Sequence, residues 1–206
     1  MYRPPAFAED GIAALHAFVQ TYPLGLLITS GPGGLSVNPI PFQLAFNGDR
    51  EVLRGHLARA NPQLAELGAA DCLIVFQGPH AYVSPSWYAT KAETGKVVPT
   101  WNYMIVEAHG RARLIDDPLW LRAQIAALTE GQEASFPDSW TVDDAPADFI
   151  TGQIKGIVGV EIAVDRLFGK WKLSQNRSEA DRAGVIEGLT AQGHTALAAA
   201  MATAKD

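Results

Sequence analysis

The sequence predicts a mainly β domain of the α+β class, an antiparallel barrel of about six strands with helices at its periphery. Three observations carry this expectation. The β-like runs are joined mostly by short Gly-, Pro- and Asn-rich turns rather than by regular crossover helices. No Gly-x-Gly-x-x-Gly or P-loop follows a strand, which disfavours a Rossmann or Walker nucleotide site. The 206 residues, 48% of them apolar, suffice for one sizeable core.

Taken in order, Ile12, Leu15, His16, Phe18 and Val19 recur at helical spacing behind Glu9 and Asp10, and Tyr22-Pro23 closes the pattern, so a first helix is expected. Leu24 to Thr29 is β-rich, Ser30-Gly31-Pro32-Gly33-Gly34 is a turn, and Leu35 to Phe46 is the returning strand. Asn47-Gly48-Asp49 sets a second tight turn before a strand over Glu51 to Leu57. Asn61-Pro62 opens a short helix through Leu67, and Cys72 to Phe76 is strand again. A long β segment spans Val97 to Ile115, with Gly110 expected as a bulge or bend. Asp117-Pro118 begins an amphipathic helix carrying Leu119, Leu121, Ile125, Ala126 and Leu128. Phe136 to Asp148, rich in Pro, Asp and Ser, reads as loop, and Ile154 to Val164 as the last strand. Ser178 to Leu189 and Thr195 to Ala204 read as closing helices. Residues 1–168 are thus expected to form the barrel, with 169–206 packed on it in the same domain.

Charge narrows the function classes. With 16 basic residues against 22 acidic ones and a net charge of −6, a broad nucleic-acid footprint is disfavoured, because phosphate contacts need clustered Lys and Arg. The single cysteine, Cys72, opens a strand and reads as a small buried hydrophobe. No apolar run approaches ~20 residues and Met1-Tyr2-Arg3-Pro4-Pro5 lacks a signal-peptide core, so a soluble, cytoplasmic protein with no membrane contact is expected. The five histidines show no metal-ligand spacing, and there is no Gly-x-Ser-x-Gly elbow.

Three polar clusters fall at strand ends. Gly78 to Tyr103 interleaves Trp87, Trp101, Tyr82, Tyr88 and Tyr103 with Ser84, Ser86, Lys91 and Asn102. Such a wall suits a flat heteroaromatic ligand with polar edges, and equally a dimer interface or a strand pair with polar tips. Gly55 to Gln63 joins a strand end to a helix start, where Arg59 and free backbone N–H groups would fit a phosphate, and where Asn61 would also simply cap the helix. Gly169 to Arg177 sets Lys170, Lys172 and Arg177 around Trp171, either as a solvated loop or as a further anion or dimer contact.

These clusters resemble, almost end to end, the PaiB family, described as FMN-binding negative transcriptional regulators built on the FMN-binding split barrel. The resemblance rests on Met1-Tyr2 with Pro4 and Phe7, His56-Leu57-Ala58-Arg59-Ala60-Asn61-Pro62, Gly78-Pro79-His80-Ala81-Tyr82-Val83-Ser84-Pro85-Ser86-Trp87-Tyr88, Val98-Pro99-Thr100-Trp101-Asn102-Tyr103, and Lys172-Leu173-Ser174-Gln175-Asn176-Arg177. It implies a six-stranded split barrel and a homodimer with FMN at the subunit interface. It places Asn38, Pro39, Ile40 and Pro41 along the cofactor, with His56, Leu57, Ala58, Arg59 and Asn61 near its phosphate. Ser84, Trp87, Lys91, Trp101, Asn102, Lys172 and Gln175 would complete the site. One departure is visible, since the family tends to have histidine where this chain has Glu107.

Charge and resemblance pull apart on the regulator label, because a pI near 5.3 and no recognisable helix-turn-helix disfavour direct DNA binding. A flavin-dependent redox or sensory protein, an FMN-dependent oxidoreductase if it is an enzyme, with an indirect regulatory role ranks first. A repressor that contacts DNA, or a module for heme or another aromatic ligand, is the alternative.

Overall fold

The computed structural model describes residues 1–68 and 71–204. In chain order the elements are β1 (Ala8–Glu9), α1 (Ile12–Thr21), β2 (Leu24–Gly31), β3 (Gly34–Pro41), β4 (Gln43–Asn47), β5 (Arg50–Ala58) and β6 (Asp71–Val83). They continue as α2 (Ala89–Thr94), β7 (Thr100–Ile115), α3 (Pro118–Glu133), α4 (Ala147–Lys155), β8 (Ile157–Lys172), α5 (Glu179–Ala191) and α6 (Thr195–Thr203). The fold class is the expected one, an antiparallel split barrel with helices, but its sheet has eight strands rather than six. The order is β3-β2-β6-β7-β8-β5-β4, with β1 paired to β8. Among the described residues no helix is long and apolar enough to cross a membrane.

The extra strands have local causes. The run Leu35 to Phe46 breaks after Pro41, where the Phe42 N–H turns to the carbonyl of Pro23 at 2.8 Å and its ring is buried edge-on against Phe76. One expected strand is therefore two. β1 is a two-residue pairing with Gly169 and Lys170, too short to leave a pattern.

The chain divides into two compact units, each described on its own. The strand-rich unit holds residues 19–76 and 107–167. In it β2 and β3 form a hairpin, with Leu24 opposite Pro41 and Gly31 opposite Gly34, and β2 also pairs with the first half of β6. β4 turns into β5 across Asn47 and Arg50, with Gly48 in the left-handed region at φ +60 as an Asn-Gly hairpin demands. β5 then pairs with β8 from Val52 opposite Ala163 to Ala58 opposite Ile157. Alternation sends Leu27, Ile40, Leu53, Ile74, Phe76, Val160 and Ile162 into the core. β7 runs through Gly110 without a break. A Cβ there would sit 2.0 Å from the Ala163 carbonyl, so glycine is needed for close approach of the two backbones.

The stretch from Phe136 to Asp148 is loop up to Pro146 as expected, apart from one 3-10 turn, and that turn joins a second, small core. Val142 sits in a 3-10 turn closed by the Thr141–Asp144 capping box, and it packs with Leu121, Ile150 and Ile154. Polar composition hid α4, because burial there needs only Ile150 and Ile154, spaced four apart on one helical face. The expected strand start at Ile154 accordingly belongs to α4, and β8 runs on to Lys172 instead of stopping at Val164.

Glu161 on β8 is 5% exposed and accepts hydrogen bonds from Arg54 Nε at 2.9 Å and Arg113 Nη2 at 2.8 Å. Burial pushes its carboxyl up, yet the hydrogen bonds and charges of Arg113 and Arg54 outweigh that and hold it below its ordinary value of 4.5. Because the folded state binds this proton less readily than the unfolded one, the stabilisation is complete above the ordinary value and is lost as pH falls through the depressed one. Urea midpoints should therefore fall on acidification below about pH 4.5. Glu161→Gln should lose about 2–3 kcal/mol at neutral pH and flatten that acid limb. A variant with the wild-type acid slope would show that other carboxylates set it.

The terminal unit holds residues 1–18, 77–106 and 168–206. Arg3 ties the first residues to β8, with Nε donating to Gly169 O at 2.9 Å, Nη2 to Glu9 O at 3.2 Å and to Asp10 at 2.5 Å, and the guanidinium stacked 4.7 Å over Phe168. α2 is held to α5 by Asp181, 3% exposed, which accepts from both the N–H and the hydroxyl of Thr90 at 2.9 Å. The Thr90 N–H keeps the Asp181 carboxyl below the usual carboxylate range against its burial.

Candidate ligand-binding site

The aromatic wall is one face of three strands in the terminal unit. On β7 the side chains alternate, so Asn102 and Met104 are buried while Trp101 and Tyr103 turn to the other face. On β6 the same alternation buries Ala81 and Val83 and leaves His80 and Tyr82 outside. Trp101 is 52% exposed, with His80 at 5.7 Å and Tyr82 edge-on at 6.4 Å between ring centroids. On β8, Lys170 places its ammonium 5.5 Å from the ring centroids of both Tyr103 and Tyr2. Lys172 donates to Trp101 O at 2.6 Å and to the Thr100 hydroxyl. Burial, then the charges of Lys170 and Arg177, push the Lys172 ammonium down from its ordinary value. Neither lysine has a carboxylate partner among the described residues.

The other candidates of this unit, Lys91 excepted, have partners within the fold. Ser84 caps the 3-10 turn Pro85–Trp87, accepting from the Ser86 N–H at 3.2 Å. Trp87 seats its ring on Gly188 and its carbonyl on Gly184 of α5. Asn102 is fully buried, donating to Ser174 Oγ at 2.9 Å and Met201 Sδ at 3.3 Å, with Ser174 held in the left-handed region at φ +63. Gln175 closes its own turn, accepting from Leu173 N at 2.8 Å and donating to Trp171 O at 2.7 Å. Lys91 is exposed on α2.

In the strand-rich unit, Asn38 donates to Gln63 Oε1 at 2.8 Å, Ile40 and Leu57 are core, and Pro39, Pro41 and Ala58 are exposed. His56 faces α3, its Nδ1 2.8 Å from Gln124 Oε1. Arg59 is engaged at home, pairing its two terminal guanidinium nitrogens with Asp116 at 2.9 and 2.5 Å and donating from Nε to Lys155 O and from Nη2 to Ile157 O, both at 2.9 Å. That pairing holds the Asp116 carboxyl below the usual carboxylate range. Asn61 is the helix cap, accepting from the Gln63 N–H at 3.0 Å with Pro62 at the first position. The sequence reading missed the residue that organises this turn. Gln63, 1% exposed, donates to Leu27 O, Thr29 Oγ1 and Ser36 O at 3.1, 2.9 and 3.3 Å.

Comparison with known proteins gives this geometry a setting. Residues 1–166 match the model of the family described as "Putative FMN-binding domain". The chain is 34% identical over 190 residues to Protease synthase and sporulation protein PAI 2 of Bacillus subtilis, across 92% of this chain and 89% of that protein. It belongs to the PaiB-like FMN-binding family. An uncharacterized protein of Emericella nidulans is 37% identical over 229 residues, across 92% of this chain and 90% of its own length. Solved structures that share the fold include the following two. The flavocytochrome Anf3 from Azotobacter vinelandii superposes with a TM-score of 0.62 at 16% identity, across 89% of this chain and 78% of that one. The FAD and heme binding protein from Mycobacterium smegmatis gives 0.60 at 15%, across 85% and 78%.

Against the family pattern, Glu107 is buried and its carboxylate lies 3.4 Å from His109 Nε2, while Arg166 Nη2 approaches His109 Nδ1 at 3.3 Å. Arginine can only donate, so Nδ1 is the acceptor of that contact. Cys72 is the expected buried hydrophobe. Burial pushes its thiol up to about 11, and Sγ lies 3.3 Å from Gly110 O. Tyr82, Tyr103 and Lys170 stand in the polar clusters read from the sequence, but neither they nor Tyr2 and His80 were placed at the cofactor by the family resemblance of this PaiB-like chain. Their signal was alternation, positions 80 and 82, 101 and 103, 170 and 172, legible only once β8 is carried to Lys172.

Proposed function

We propose that the exposed face of His80, Tyr82, Trp101 and Tyr103 carries the flavin ring of this FMN-binding protein, in a homodimer whose second chain covers that face. The protein would then act as a flavin-dependent redox or sensory protein, with any regulatory effect exerted indirectly. The observation that carries the reading is a set of aromatic rings left half exposed beside two lysines that have no carboxylate partner. Rings gain most from burial against another flat apolar body, and uncompensated ammonium groups favour an anion. FMN offers both. A second protein chain is favoured because one flat face buries only one side of such a ligand.

Protein purified without added cofactor should show flavin absorption bands, and the apo form should quench FMN fluorescence on titration. Trp101→Leu should weaken FMN binding by about tenfold, the loss of one stacking ring with its buried area. A colourless protein that leaves FMN fluorescence unchanged overturns the flavin reading, and a heme band in its place would reassign the face. Light scattering that finds a monomer holding FMN stoichiometrically would remove the homodimer from the proposal.

A further inference from the structure

Residues 3–9 are tied down by their contacts. Arg3 reaches two backbone carbonyls and the Asp10 carboxylate, stacks on Phe168, and is followed by a 3-10 turn over Pro5–Phe7 and the β1 pairing with β8. What this anchoring holds out is Tyr2, 82% exposed, beside Lys170. The Lys170 ammonium lies between the rings of Tyr2 and Tyr103, with no oxygen partner among the described residues. Lys172 follows on the same strand face and spends its N–H groups on Thr100 and Trp101, which leaves one of three uncommitted. Two neighbouring ammonium groups repel, and this pair stands in a chain of net charge −6 that has carboxylates to spare for other cations. The Lys172 ammonium is pushed down first by burial and then by the charges of Lys170 and Arg177. Cation–π contact alone is weak at so exposed a position.

We propose that Tyr2, Lys170 and Tyr103 form an anion subsite at the margin of the aromatic face, so that this face takes a flat aromatic ring bearing a negative charge, with Tyr2 delivered to it by Arg3. The inference rests on the flavin reading for the ring that lies on His80, Tyr82 and Trp101. The charge has two sources of the same chemistry, the flavin's own phosphate or a second planar aromatic anion bound beside it.

The test titrates wild type, Lys170→Met, Tyr2→Ala and Tyr2→Phe with FMN, with riboflavin, which lacks the phosphate, and with 2-naphthoate. Far-ultraviolet dichroism checks each fold, and Tyr2→Ala, at an exposed position outside every strand and helix, provides a variant whose folding is not at risk. If the phosphate is the anion, Lys170→Met should weaken FMN by about tenfold or more and spare riboflavin. If a second anion is, the same variant should weaken naphthoate on the FMN-loaded protein and spare FMN. In either case Tyr2→Ala should cost several-fold and Tyr2→Phe nothing. Wild-type constants for FMN and naphthoate in both Lys170→Met and Tyr2→Ala overturn the subsite and leave the flavin reading intact. Wild-type protein that binds neither flavin but holds naphthoate through Lys170 overturns the flavin reading and leaves the subsite. Wild-type protein that binds none of the three overturns both.

Discussion

Gly184→Ala should lower the thermal midpoint of this protein, although replacing glycine by alanine inside a helix ordinarily stabilises by up to about 1 kcal/mol. Gly184 and Gly188 lie four apart on α5, and together they form the seat of Trp87. A Cβ at 184 would lie 2.1 Å from the Trp87 carbonyl oxygen, and one at 188 would lie 2.4 Å from its indole ring. A side chain can rotate away, but a backbone carbonyl in a 3-10 turn has no rotamer to change, so Gly184 is the more severe site. The expected net loss is about 1–3 kcal/mol, the cost of overpacking less the helix gain. The control is internal. Gly131 on α3 and Gly152 on α4 have nothing within 4 Å of an added Cβ, so alanine there should be neutral or stabilising. Equal shifts at 184 and 152 would mean that α5 moves freely against the turn.

The second large effect is expected at Gln63. Its amide nitrogen serves Leu27 O, Thr29 Oγ1 and Ser36 O, and its oxygen takes Asn38 Nδ2. Gln63→Leu keeps the volume and abandons all four partners at a buried position, so the penalty is that of unsatisfied buried groups rather than of one hydrogen bond. About 2–4 kcal/mol should be lost, with a fall in thermal midpoint of about 5–10 °C. Thr29 and Ser36 also share the carboxylate of Glu66, so the turn from Asn61 to Glu66 hangs on side-chain bonds to the β2–β3 hairpin. Gln63→Leu melting like wild type would show that Glu66 holds the turn unaided.

What could be read from the residues was what repeats or punctuates. The helix at Ile12, the Asn-Gly turn, the Asp117-Pro118 start and the two closing helices all announce themselves through spacing or caps, and all are present. The aromatic wall was visible as composition, and the family through its long ordered motifs. What could not be read was which polar side chains the fold would use for itself. Asn102, Gln175, His56 and Arg59 are chemically suited to a ligand, and each has an internal partner from elements distant in sequence or, for Gln175, from its own turn. Gly110 also provides clearance, a role that depends on where β8 passes and that the sequence alone does not show. Ending β8 at Val164 concealed the alternation that sets Lys170 and Lys172 beside Trp101 and Tyr103.

β3 stands at the end of the strand order and carries Pro39 and Pro41, both exposed, opposite Leu26 and Leu24 of β2. Its neighbours on the hairpin include Leu35 at 76% and Val37 at 53% exposure, a sticky stretch for a sheet margin. Two missing N–H groups make that margin a poor template, because an incoming strand would find no donors at alternate positions. The chain can thus display apolar side chains there without inviting strand-by-strand growth into fibrils. Replacing both prolines with threonine would restore the donors and with them the hazard of aggregation.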